Sequence, residues 1–314
     1  MRFHFGFVSI CLSEQSCSPA GNVTFASIKE LAPAAQRLRI LRTARRNLEN
    51  TLRIMWFLRA HQIPLYRLSA NLIPLATHPV TQGWAWWEEP ELVETGRAIG
   101  KVARAEGYRL SSHLPEVCGL TSPQSFALLQ AYLEYHRRLF DLLDLDESAV
   151  IVIHVGGAYG KKGAALADAK ARLADLGAWE RSRLALENDD RSYTLADVAA
   201  LAVHGGVRAV CDWHHHVVNP GGASDAAALR ELLAACASTW QIRPMKVHVS
   251  SPKNSSQVRA HAEYVDPAFV KPFFDALEEL GLPAVDVMVE AKAKDLALFR
   301  LREAMGLERG DVRE

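Results

Sequence analysis

Eight short runs rich in β-branched and apolar residues alternate with eight longer segments of helical period, and this alternation limits the fold more than any other feature of the chain. The runs are FGFVSI (5–10), PLYRLSA (64–70), RLSSHL (109–114), VIVIHVG (150–156), RLALEND (183–189), RAVCDWH (208–214), PMKVHVS (244–250) and VDVMVEA (285–291). Helix-like segments lie near 36–61, 89–106, 122–143, 164–176, 194–204, 225–239, 266–280 and 292–306. A strand that passes through a helix to the next strand returns parallel, by a right-handed crossover. Eight such units predict an α/β fold of the (β/α)8 TIM barrel type, which needs about 250 residues or more. The chain has 314, with no linker or low-complexity stretch, so 1–314 reads as one domain. An open doubly wound sheet is the competing topology. No glycine-rich loop follows the first run, however, and that also argues against a nucleotide cofactor.

Charge and cysteine content exclude several classes of function. Lysine plus arginine number 36 and aspartate plus glutamate 36, so no global basic field marks a nucleic-acid binder and any polyanion must be held by local patches. The five cysteines form no CxxC pair, which fits a reduced thiol set. MRFHFGFVSICL reads as a first strand rather than a signal peptide, and no apolar stretch is long enough to span a membrane. A cytoplasmic monomer is the expectation.

Chemistry in a barrel sits where strands give way to the loops at their carboxyl ends. Six of the eight runs carry a metal-binding side chain there: His113, His154, Glu187, Asp212, His248 and Glu290. His78 and His261 fall in the loops after the second and seventh runs, whereas His4, His61, His136 and His204 precede strands or lie in helices. Lys246 and His248 are two apart and share one strand face, so the lysine points inward and needs something negative to meet it. Imidazole and carboxylate without thiolate suit Mn²⁺, Zn²⁺ or Mg²⁺, and the ligands exceed what one four-coordinate ion takes, implying two or three divalent ions. Strand alternation does not choose among His214, His215 and His216.

Several blocks, in order, carry a family resemblance: NLENTLRIMWFLRAHQIPLYRLSANLIPLATHP (47–79), VIVIHVGGAYGKKG (150–163), LALENDDRSYT (184–194), HHHVVNP (214–220), PMKVHVSSPK (244–253), RAHAEYVD (259–266) and VMVEAKAKD (287–295). The chain resembles the UV damage endonuclease family almost from end to end. That resemblance implies a TIM barrel that nicks double-stranded DNA on the 5′ side of ultraviolet photoproducts by metal-assisted phosphodiester hydrolysis, commonly with manganese. It implies His78, His113, His154, Glu187, Asp212, His215, His248, His261 and Glu290 as metal ligands, and so selects His215 from the histidine triplet. It further implies Lys246 as a lysine carboxylated by CO₂ that acts beside Glu187, Asp212 and Glu290 in catalysis.

One departure stands out. After the third-strand histidine the family carries Gln followed by an aromatic residue that probe the lesion, and this chain has Glu116 and Val117. An ionised glutamate donates no hydrogen bond and valine has no π-face, so lesion preference is the weakest part of the likeness. Phe7 keeps the aromatic of the first strand as a substrate contact. GGAYGKKG (156–163) offers Tyr159 and Lys161 or Lys162 at the same rim, while GWAWWEE (83–89) is expected to pack. Two other readings stay open: an abasic-site endonuclease or related barrel phosphodiesterase or sugar isomerase, and a DNA-binding module without catalysis.

Overall fold

Outward-facing valines, isoleucines and leucines on eight short strands seal the barrel against a coat of helices. The computed structural model describes residues 1–221, 225–241 and 243–306. In chain order the elements are β1 (Arg2–Val8), α1 (Pro33–Ala60), β2 (Leu65–Arg67), α2 (Pro90–Ala105), β3 (Arg109–His113), α3 (Pro123–Leu142), β4 (Val150–His154), α4 (Lys162–Ala174), α5 (Ala178–Arg183), β5 (Leu184–Glu187), α6 (Leu195–Gly205), β6 (Arg208–Asp212), α7 (Trp213–Val218), α8 (Ala226–Ser238), β7 (Met245–Val249), α9 (Pro267–Glu278), β8 (Ala284–Val289) and α10 (Lys294–Ala304). The strands pair in sequence order, all parallel, and β8 closes on β1. The (β/α)8 barrel read from the alternation is the observed fold; residues 307–314 of the single-domain reading lie outside the described residues.

Local chemistry starts the helices where the pattern placed them. Ser122 and Ser125 form a reciprocal cap at the start of α3, and Thr194 with Asp197 does the same for α6. Asp225 and Asp266 accept backbone N–H groups at the starts of α8 and α9. Trp84 and Trp86 are buried, in keeping with their expected packing role.

Strand pleating divides the side chains between two interiors. Phe3, Phe5 and Phe7 face the helices: the first two meet Phe274 of α9, and Phe7 meets Phe57 of α1. The alternate positions, His4, Arg67, Arg109, Ser111, His113, Lys246, His248 and Asp286, face the barrel axis. The axis therefore carries charged groups at its lower end and at its upper rim, with Val152, Ala185, Val210 and Met288 at the same parity between them. At its lower end Arg109 grips Asp286 bidentately, at 2.6 and 2.7 Å, with His4 Nδ1 3.1 Å from the same carboxylate. His4 is thus part of β1, a strand that begins three residues earlier than the sequence reading had it, and it is not incidental.

Candidate metal centre and its mouth

Glu187, the last residue of β5, is the hub of the upper rim. Its Oε2 lies 2.6 Å from His113 Nε2 and 3.4 Å from His154 Nε2, and its Oε1 lies 2.6 Å from His248 Nδ1. Glu290, one residue past β8, reaches the same His248 nitrogen at 3.0 Å. Donor atoms of His113, His154 and Glu187 fall within 4.8 Å of one another, as do those of Glu187, Asp212, His248 and Glu290. Glu187 belongs to both groups. Strand ends far apart in sequence thus converge on one chamber.

An unmet valence shows what the chamber suits. Asp212 Oδ2 is a buried acceptor to which no hydrogen bond is directed, whereas Glu290 Oε1 meets Arg67 and His248, and His154 Nε2 faces the Glu187 carboxylate. Stranding such an oxygen costs about 1–3 kcal/mol, more when charged, and a cation beside it would remove that cost. Nitrogen and carboxylate donors without thiolate fit a divalent ion of the Mn²⁺, Zn²⁺ or Mg²⁺ kind. Charge reinforces the fit. Burial alone would raise the Glu187 carboxyl, yet His248 and His113 hold it well below the usual range. Burial would likewise raise Glu290, but Arg67 and His248 keep it low. Burial works against the His215 imidazolium, but Asp212, Glu187 and Glu290 push it up to about 9.

The histidines are aimed by backbone carbonyls. His113 Nδ1 donates to Leu114 O at 2.9 Å, His215 Nδ1 to Asn188 O at 2.9 Å, and His261 Nδ1 to Glu290 O at 2.6 Å. With Nδ1 tied to a carbonyl, each ring turns Nε2 the other way, the orientation a metal requires. Asn188 holds two elements at once: its Nδ2 donates to Asp212 O at 3.0 Å and its Oδ1 accepts the Asp212 N–H at 2.8 Å. The histidine triplet lies in α7, a short helix that starts on Asp212, whose Oδ1 accepts the His215 N–H at 2.8 Å. His214 is buried with Nε2 on Val258 O, and His216 lies against Trp213, so His215 is the member that faces the chamber.

Beneath the chamber Lys246 is 2 % exposed and its Nζ has no hydrogen-bond partner. Burial pushes the amine down to about 8; Asp286 opposes this, while Arg109 and Arg67 assist. The lysine therefore does have an acidic neighbour, beside it in the β7–β8 register, but that carboxylate is claimed by Arg109 and His4. Arg67 was missed by the sequence reading. It ends β2, is 5 % exposed, contacts Glu290, and brings Nη2 within 2.8 Å of His248 Nε2. Its place at a strand end with inward parity was the available signal.

The remaining expected site residues separate clearly. His154, His215 and His261 line one cavity of about 610 Å³ together with Glu116, Gly156, Gly157, Asp190, Arg191 and Arg259. His78 stands outside both donor groups. Its Nδ1 accepts the Val80 N–H at 3.1 Å, which leaves the proton on Nε2, and its ring lies 4.7 Å from that of Phe25. Phe7 is 0 % exposed against α1, so the expected substrate contact there is corrected: β1 turns that side chain into the core. Val117 is 60 % and Tyr159 67 % exposed at the rim. Lys161 is exposed, whereas Lys162 is ion-paired with Asp197.

The family model described as UV-endonuclease UvdE matches residues 3–311. A protein of Bacillus pumilus called UV DNA damage endonuclease is 38% identical over 322 residues, covering 100% of this chain and 97% of the relative. A Bacillus cereus protein of the same name is 37% identical over 321 residues, covering 99% of this chain and 96% of the relative. The crystal structure of SacUVDE superposes with a TM-score of 0.82 at 24% identity, over 98% of both chains, a likeness of fold.

Proposed function

Because this chain belongs to the UV-endonuclease UvdE family, we propose that it is a DNA repair endonuclease that hydrolyses the phosphodiester 5′ to ultraviolet photoproducts, leaving a 3′-hydroxyl and a 5′-phosphate. The observation that carries this is the chamber around Glu187, where two sets of imidazole and carboxylate ligand atoms converge and the buried Asp212 Oδ2 is unmet. We assign His113, His154, Glu187, Asp212, His248 and Glu290 as the inner ligands of two or three divalent ions, most simply Mn²⁺, with His215 and His261 completing the set from the cavity wall and His78 joining only if its ring turns. Ions bound by these residues would supply an activated water and charge neutralisation at the leaving oxygen.

The chain's own residues do the rest. Glu187, Asp212 and Glu290 would balance the charge of bound cations. Asn188 and the backbone carbonyls of Leu114 and Glu290 fix the ring orientations. The mouth would orient the backbone of the DNA through Arg191 and Arg259, which meet Asp190 at 3.6 and 3.5 Å and stand where a phosphate would pass. Lys161 adds a further positive charge. We also assign Lys246 as the site of carboxylation: its neutral amine adds to CO₂ and loses a proton, and the carbamate turns a buried cation into an anion facing the chamber. No helix among the described residues is long and apolar enough to cross a membrane, and we place the protein in the cytoplasm with DNA.

The test is incision of duplexes carrying one cyclobutane dimer, one 6-4 photoproduct, one abasic site or no damage, with Mn²⁺ or with chelator. Nicking 5′ to the photoproducts that needs the metal supports the reading. Equal cutting of undamaged duplex refutes lesion recognition, and faster cutting of the abasic duplex shifts the assignment to abasic sites.

A further inference from the structure

The loop between β4 and α4 presents Tyr159, the most exposed large apolar side chain among the described residues at 67 %. Its backbone is left-handed, with φ of 49°, a conformation that a tyrosine adopts only where its surroundings impose it. Gly156 and Gly160 flank it at φ of 122° and 71°, Lys161 N–H donates to Ala158 O at 2.9 Å, and Tyr193 Oη donates to Gly157 O at 3.3 Å. The phenol ring rests on the bare backbone of Gly157, where an added Cβ would come within 2.7 Å of Tyr159 Cζ. Gly156 and Gly157 are walls of the same cavity as His154, His215 and His261. A presented aromatic ring therefore stands at the edge of the metal chamber.

The neighbouring loop offers no such ring. It is tied to this one by Leu120 N–H donating to Val155 O at 2.8 Å, and it presents Val117 to solvent and Glu116 to the cavity. Acting on a distorted or extruded base leaves a gap in the duplex, and a side chain with a π-face fills such a gap where valine or glutamate does not. We propose that Tyr159 stacks on a nucleobase beside the cleaved bond and holds open the damaged step of the duplex. This rests on the DNA-repair reading above and names the residue that performs its recognition.

The experiment uses full-length protein and duplexes carrying one thymine dimer with 2-aminopurine next to it. Fluorescence is read in chelator, and single-turnover incision is read in Mn²⁺. Tyr159→Ala is expected to lower dimer incision about 10- to 100-fold and to abolish the fluorescence change, the size typical of a lost base–aromatic stack. Tyr159→Phe and Tyr159→Trp are expected to behave like wild type, and Val117→Tyr placed in the Tyr159→Ala protein is expected to restore part of both signals. Fluorescence and incision within twofold of wild type for Tyr159→Ala overturn the stacking role, as does a Tyr159→Phe defect equal to that of alanine. A wild-type protein that leaves the dimer uncut overturns the DNA-repair reading instead, and the fluorescence measurement still decides whether the ring stacks.

Discussion

Replacing Arg67 by methionine tests how the chamber balances its charge. The guanidinium is 5 % exposed, in contact with Glu290, and its Nη2 lies 3.2 and 2.8 Å from the two nitrogens of His248. One unit-charge pair about 3 Å apart is worth roughly 5 kcal/mol at an effective dielectric near 20. Methionine recovers some apolar packing and removes the cost of desolvating the guanidinium. The net loss should then be about 3–5 kcal/mol, the usual penalty for stranding one half of a buried ion pair. Urea unfolding in chelator measures it. In saturating Mn²⁺ the loss should shrink to about 1 kcal/mol, because the ions supply the missing positive charge and stabilise the folded chain by mass action. Arg67→Lys should fall between wild type and methionine in chelator. A loss of equal size with and without Mn²⁺, or no loss in chelator, would refute the view that Arg67 and the ions compensate the same carboxylates.

Asn188→Ala should weaken metal binding about 10- to 100-fold by calorimetry while leaving the fold intact, since Asn188 joins Asp212 and His215 in one frame. Unchanged affinity would mean that the backbone alone sets that geometry. His136 tests stability against pH at a distance from DNA contacts. Burial pushes this ring down from 6.5 to about 4, with the Tyr132 carbonyl opposing. The folded state thus resists a proton that the unfolded chain accepts, so the contribution is full above pH 6.5 and is lost as pH falls toward 4. About 2 kcal/mol should disappear between pH 7 and pH 5 in chelator. His136→Gln should flatten that part of the profile, and a variant that keeps the wild-type slope would contradict the assignment.

The barrel was legible in the sequence because its two periods are unambiguous: strand ends and helices fall within a few residues of their expected places. The convergence of His113, His154, Glu187, Asp212, His248 and Glu290 was legible for a simpler reason, since the end of every strand points to the same rim. What sequence could not supply was rotation about a local axis. His78 was placed at the rim by position, but a backbone N–H captures its Nδ1. Phe7 lies near the end of β1, yet pleating turns it into the helical layer. Arg67 and Asp286 went unread because inward charges on short strands look like surface residues until the barrel closes around them. α7 was hidden because Asp212 serves both as the last strand residue and as the cap of the following helix.

The direct test of the chamber is an anomalous difference map, recorded near the manganese edge, from crystals grown with Mn²⁺. Peaks are expected between His113, His154 and Glu187 and again among Glu187, Asp212, His248 and Glu290, with Glu187 shared between them. A map with no peak at either position, or with manganese bound only elsewhere on the molecule, would contradict the metal-assisted hydrolysis proposed for this protein.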